Sequence, residues 1–103
     1  MKYCQGPDPK TTTPNFKAPP KACDAHCHVF GPDAKFPYAE GRSYTPPDSP
    51  FEAMQLLQKT LGIERAVIVQ ATCHGTDNTA ALDAIARSEG RYKGVAIVDD
   101  SFT

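Results

Sequence analysis

The stretch Ala22-Cys23-Asp24-Ala25-His26-Cys27-His28-Val29-Phe30 runs directly into Gly31-Pro32-Asp33. The small and apolar residues predict a strand over 22–30, and the Gly-Pro-Asp turn ends it. Alternate side chains of a strand share a face, so His26 and His28 are expected side by side, with Asp24 one pleat earlier on that face. Cys23 and Cys27 have the opposite parity and are expected to face a helix layer as small apolar fillers. Two imidazoles at the C-terminal end of a strand can hold a metal or polarise a carbonyl. A surface pair, or two hydrogen-bonded core histidines, is the alternative, because two ligands do not complete a metal site. Parallel α/β folds place their chemistry where their strands end, and that favours a site.

Working outward, Met1 to Lys21 is polar and broken by Pro7, Pro9, Pro14, Pro19 and Pro20, and reads as an extended arm. Gly31 to Pro50 is a long loop whose Phe36, Tyr38 and Tyr44 argue against a disordered linker. Asp48 or Ser49 can cap a helix that has Pro50 at its first position. Phe51, Met54, Leu57 and Leu61 follow at helical spacing, Leu56 widens the stripe, and Gly62 is the expected stop. Ala66-Val67-Ile68-Val69-Gln70-Ala71 is a β-branched run of the kind buried on both faces. After the loop 72–76, Asp77 or Asn78 caps a second helix whose apolar side is Ala81, Leu82, Ile85 and Ala86, ending at Ser88-Glu89-Gly90. Residues 92–98 form a third buried-type strand.

The order β-loop-α-β-α-β predicts an α/β fold with parallel strands and right-handed crossovers. Three strands and two helices cannot cover both faces of such a sheet. The chain therefore reads as the N-terminal portion of a larger fold, 1–21 being the arm and 22–103 the partial domain. A self-contained βαβαβ domain is the alternative.

Composition narrows the function. The chain has 103 residues, is 40% hydrophobic, and its ten prolines are concentrated in the first fifty positions. A net charge of −1 gives no electrostatic case for nucleic acid or an anionic membrane. No stretch approaches the ~20 apolar residues of a membrane span, and the N-terminus has no apolar core of a signal peptide. The expectation is a cytoplasmic protein with Cys4, Cys23, Cys27 and Cys73 as free thiols. Neither a Gly-x-Ser-x-Gly elbow nor a phosphate-binding glycine loop is present.

Four blocks together are distinctive: Asp24-Ala25-His26-Cys27-His28-Val29-Phe30-Gly31-Pro32, Arg42-Ser43-Tyr44-Thr45-Pro46, Val67-Ile68-Val69-Gln70 and His74-Gly75-Thr76-Asp77-Asn78. From about Ala22 to Val98 the chain resembles the amidohydrolase-related family, in particular its lactone-hydrolysing members. The resemblance implies a (β/α)8 TIM-like barrel of which strands one to three are present. It implies hydrolysis of a small cyclic ester, such as 2-pyrone-4,6-dicarboxylate, in aromatic-compound degradation. His26 and His28 match first-strand histidines that polarise the scissile carbonyl without a cofactor or, in metal-dependent relatives, bind zinc. Tyr44 and Thr72 match substrate-binding positions. The general base and the carboxylate-binding arginines of the family have no counterpart in this chain, so it is expected to be inactive alone. Read without the resemblance, Tyr44 packs under its loop, Thr72 bridges backbone, and Asn78 is a helix cap. His74 belongs with Cys73 and the histidine pair only if a Cys/His cluster forms. Two other functions stand beside the enzyme: a non-catalytic remnant, and a small metal-binding module using His26, His28 and a cysteine.

Overall fold

The computed structural model describes residues 4–102. Its elements are β1 (Cys23–Cys27), α1 (Phe51–Leu61), β2 (Arg65–Val69), α2 (Thr79–Arg87) and β3 (Tyr92–Val95), with a 3-10 turn at Thr72–His74 after β2. The sheet order is β1-β2-β3 and both pairings are parallel, as the two short helical crossovers required.

β1 is shorter than the nine residues expected, and it is irregular. Asp24 pairs with Ala66 but Cys27 pairs with Ile68, so three residues of β1 advance against two of β2. The extra residue is a bulge, which reverses side-chain parity beyond it. Asp24 Oδ1 accepts the His26 N–H across the bulge at 3.1 Å. After Cys27 the chain leaves β2, and Phe30 exchanges backbone hydrogen bonds with Ser49 (2.9 and 2.7 Å) in an antiparallel bridge. The loop between β1 and α1 therefore closes on itself at its base.

The core lies on the helix side of the sheet. Ala66, Ile68 and Tyr92 pack there against Phe51 of α1 and Ala80, Ala81 and Ala84 of α2. The buried face of each helix is rotated from the one expected. On α2, Ala80 and Ala84 are buried whereas Leu82 is 60% exposed. Alanines let the helix approach the sheet closely, where a leucine would hold it off. On α1, Leu56 and Leu57 are exposed while Gln58 is buried, because its Oε1 accepts the hydroxyl of Tyr92.

The helix ends follow the sequence in part. Gly62 takes the left-handed conformation (φ 74°) and its N–H closes α1, as a C-terminal glycine should. At the start of α1, Pro50 is itself the cap residue and no side chain caps it. Asp48 and Ser49 are occupied by the preceding loop. Asn78 precedes α2 without capping it. Its amide instead donates to the Ile97 carbonyl (2.9 Å) and accepts the Ile97 N–H (3.1 Å), which ties the chain beyond β3 to the start of the helix. Asp77 holds the Thr79 N–H and hydroxyl in its place. The third strand stops at Val95, opposite Val69, where its partner β2 ends and leaves nothing to carry the ladder to residue 98.

Ile68 is 0% exposed at the centre of the sheet. Ile68→Ala should lower stability by about 2–5 kcal/mol, read as an earlier denaturant midpoint with an unchanged slope.

Candidate active site

The bulge turns the strand-one side chains into two sets. Cys27 faces α1, its Sγ 3.8 Å from Met54 Sδ. Its neighbour His26 has the opposite parity and is exposed, while His28 lines a groove with Cys27 and Met54. The two imidazole rings meet edge to face with centroids 5.2 Å apart. Asp24 pairs with Ala66 and lines that groove with Cys27, His28, Met54 and Leu57, and the inserted residue separates its parity from that of His26. Cys23, expected in the helix layer, is exposed at the start of the strand.

The two histidines are held differently. His28 Nδ1 lies 2.8 Å from the carbonyl oxygen of Val69, the last residue of β2. A carbonyl only accepts, so Nδ1 carries the proton, and in the neutral ring Nε2 is left as an acceptor. Phe30 packs on the same ring at 5.8 Å. The His26 ring is exposed and has no hydrogen-bond partner among the described residues, so either of its nitrogens can donate.

Tyr44 and Thr72 form a second pair. Tyr44 lies beside Thr72 and Cys73 at the turn after β2. Burial raises its pKa above the usual phenol value; the Thr72 contact opposes that shift and the Cys73 contact adds to it. No hydrogen bond or ring contact among the described residues links this pair directly to His26 or His28. Both pairs lie on segments that follow the C-terminal ends of β1 and β2.

His74 joins no Cys/His cluster. It is buried at 3% exposure, where Nε2 accepts the Gly31 N–H (3.2 Å) and Nδ1 donates to the Pro37 carbonyl (3.1 Å). Tyr38 stacks on it at 4.8 Å. One histidine thus fastens two points in the first half of the loop after β1 to the turn after β2. The Tyr38 hydroxyl donates to Asp48 (2.9 Å), and burial together with that bond pushes the phenol well above its usual pKa. These anchors give the loop its shape, and the sequence signalled them only through the unusual number of aromatics in a loop.

No three His, Cys, Asp or Glu side chains converge into a metal-holding group among the described residues. His26 and His28 offer two nitrogens where zinc takes four ligands, so these residues alone do not fit a zinc centre.

A model of the amidohydrolase family matches residues 23–103. The chain belongs to the amidohydrolase family. It is 48% identical over 100 residues to a 4-sulfomuconolactone hydrolase of Hydrogenophaga intermedia, covering 97% of this chain and 33% of that protein. It is 51% identical over 90 residues to a 2-pyrone-4,6-dicarboxylate hydrolase of Comamonas testosteroni, covering 87% of this chain and 30% of the relative. The solved structure of a probable 2-pyrone-4,6-dicarboxylic acid hydrolase of Acinetobacter baumannii, with citric acid bound, superposes with a TM-score of 0.72 at 28% identity, covering 81% of this chain and 31% of that one. An apo structure from Agrobacterium tumefaciens superposes with a TM-score of 0.73 at 32% identity, covering 87% of this chain and 33% of that one. The chain thus spans about a third of the length of these relatives, and its three parallel strands are the N-terminal part of an amidohydrolase-type barrel.

Two outcomes follow from this geometry. His74→Phe keeps the ring volume but leaves the Gly31 N–H and Pro37 carbonyl unpaired. It should lower stability by about 1–3 kcal/mol and speed amide exchange in residues 31–38. Burial, then the nearby Asp24 and Cys23, push the Cys27 thiol up to about 12 from an ordinary 9.0. A raised folded-state pKa favours the protonated fold, so this contribution is intact below pH 9 and is lost as pH rises through about 12. At pH 8, peptide mapping after iodoacetamide should find the exposed Cys4 and Cys23 alkylated while Cys27 stays largely unmodified.

Proposed function

We propose that this chain supplies the carbonyl-activating part of a barrel that hydrolyses a small cyclic ester, the 2-pyrone-4,6-dicarboxylate or sulfomuconolactone class being favoured by its relatives. The observation that carries the proposal is the pair of imidazoles at the end of β1, in edge-to-face contact, one tethered to Val69 and one free.

Ester ring opening by water needs three things: a group that takes a proton from the attacking water, a donor for the oxygen that becomes negative, and a proton for the departing ring oxygen. Water adds to the acyl carbon to form a tetrahedral oxyanion. Collapse breaks the bond between that carbon and the ring oxygen, leaving a carboxylate and a ring-opened enol. His26, with a free ring, is placed to donate an N–H to the oxyanion. The Nε2 of neutral His28 cannot donate, because its proton is on Nδ1 facing Val69. It therefore accepts a hydrogen bond, from the water or from a substrate hydroxyl. The same tautomer is the one in which an imidazole ligates a metal through Nε2, so a metal-assisted route is the second reading. Tyr44 and Thr72, close together at the next strand end, are assigned to the substrate's polar rim. The groups that clamp carboxylates and act as the principal base are expected from later strands. The surroundings of a small soluble substrate fit a chain in which no described helix is long and apolar enough to cross a membrane.

The test is a chimera joining this chain to the remaining two-thirds of the Comamonas testosteroni hydrolase, with ring opening followed by ultraviolet absorbance with and without chelator. The chimera should turn over 2-pyrone-4,6-dicarboxylate, and the 103-residue chain alone should not exceed the buffer rate. His26→Ala should lower kcat by roughly 10²–10³-fold, as loss of an oxyanion donor does. His28→Ala should lower it by about 10²-fold or more, and Tyr44→Phe should act mainly on KM. Folded chimeras in which both histidine variants keep kcat within a few-fold would sink the assignment. Loss of activity with chelator would favour the metal-assisted route.

A further inference from the structure

Arg42 takes no part in the chemistry above, yet its side chain closes the turn that carries Tyr44. It is half-buried, and its guanidinium spans the turn as a fork. Nε donates to Thr45 Oγ1 (3.0 Å) and Nη1 to the Ala39 carbonyl (2.9 Å). The Arg42 N–H reaches the same carbonyl at 3.3 Å. Residues 39–45 are thereby tied into one closed unit. Tyr44 sits between the arginine and its Thr45 acceptor.

Both ends of that unit are fixed from outside. The Ala39 N–H donates to the Cys73 carbonyl at 2.7 Å, which sets one end on the turn after β2. At the other end Thr45 is buried, and its carbonyl accepts the Cys4 N–H at 2.9 Å. The guanidinium also lies over the Tyr38 ring, 5.8 Å from its centroid, and Tyr38 in turn stacks on His74. Tyr44 has no such anchorage of its own: among the described residues its backbone makes no hydrogen bond. The direction of its side chain therefore depends on the ties of its neighbours. Both acceptors of the fork are neutral oxygens, and the ion pairs among the described residues all involve Arg87. What holds the turn is thus the planar geometry of the guanidinium, with donors on separate nitrogens, and not attraction between opposite charges.

We propose that Arg42 is a positioning residue for the hydrolysis: its fork between Ala39 and Thr45 holds Tyr44 against the turn after β2, where it meets the substrate. The proposal deepens the function given above and rests on the assignment of Tyr44 to substrate binding. A binding group contributes fully only when its surroundings hold it close to the productive geometry. Lysine at this position keeps the charge but offers one ammonium in place of a planar two-nitrogen fork.

The experiment has two arms. In the 103-residue chain, nuclear Overhauser contacts between the Tyr44 ring and the Thr72 methyl group report the placement. They should weaken or vanish in folded Arg42→Lys and Arg42→Met chains. Thr45→Val, which removes one acceptor and leaves the arginine, should weaken them in part. In the chimera, Arg42→Lys and Arg42→Met should each raise KM for 2-pyrone-4,6-dicarboxylate by about tenfold, the worth of one hydrogen bond, with kcat little changed. In a Tyr44→Ala chimera, Arg42→Met should add little more, because residues that act through one group are not additive. An unchanged KM in Arg42→Lys would show that charge suffices and overturn the proposal. So would Arg42→Met and Tyr44→Ala effects that multiply in full, or Tyr44–Thr72 contacts that persist in a folded Arg42→Met chain. A chimera without turnover, or one in which Tyr44→Ala leaves KM unchanged, would instead count against the hydrolysis reading, while the contacts in the chain alone still decide whether Arg42 places Tyr44.

Discussion

Everything that could act chemically in this chain depends on how β1 lies against β2. Parallel pairing holds the two strands in register at Cys23 and Asp24, and the inserted residue before Cys27 then shifts that register by one. Side-chain direction in a strand has a period of two, so a single insertion exchanges the two faces. Cys27 consequently packs on Met54, and His26 and His28 meet edge to face beside it. Asp24 is spent on the bulge itself, accepting the His26 N–H. It is a structural carboxylate beside the pair rather than a third member of it.

The same pairing sets up the long loop. Where β1 departs from β2, the loop has to find its own hydrogen bonds, since buried backbone groups left unpaired are costly. It does so through the Phe30–Ser49 bridge at its base and through His74, which reaches from the turn after β2 to Gly31 and Pro37. Tyr38 and Asp48 complete the anchorage. The turn that carries Tyr44 is thereby brought to Thr72 and Cys73. A histidine that forms part of no catalytic set thus positions residues assigned to substrate binding, through two backbone bonds and one stacked ring.

The exposed apolar residues fit a part of a barrel. Leu56 and Leu57 on α1, Leu82 on α2, and Val95 and Val98 at the sheet edge are 40–66% exposed. The relatives the chain matches are about three times as long.

The sequence alone determined the element order, the parallel sheet, the glycine that stops α1 and the nearness of His26 to His28. Each follows from local rules: alternation in strands, helical spacing, and a left-handed conformation that glycine adopts freely. The resemblance of four short blocks was enough to reach the family. Other features were decided only by tertiary structure. No local rule announces an extra residue in β1, so the face of Asp24 and the exposure of Cys23 could not be read from parity. The choice of Ala80, Ala84 and Gln58 over Leu82 and Leu57 as buried residues depends on how closely each helix approaches the sheet and on a tyrosine 34 residues away. The tautomer of His28 is set by a carbonyl on the next strand, and the role of His74 by backbone 37 and 43 residues distant. Those partners meet only once the chain has folded, because hydrogen-bond acceptors on neighbouring strands are brought within reach by the sheet and not by the sequence between them.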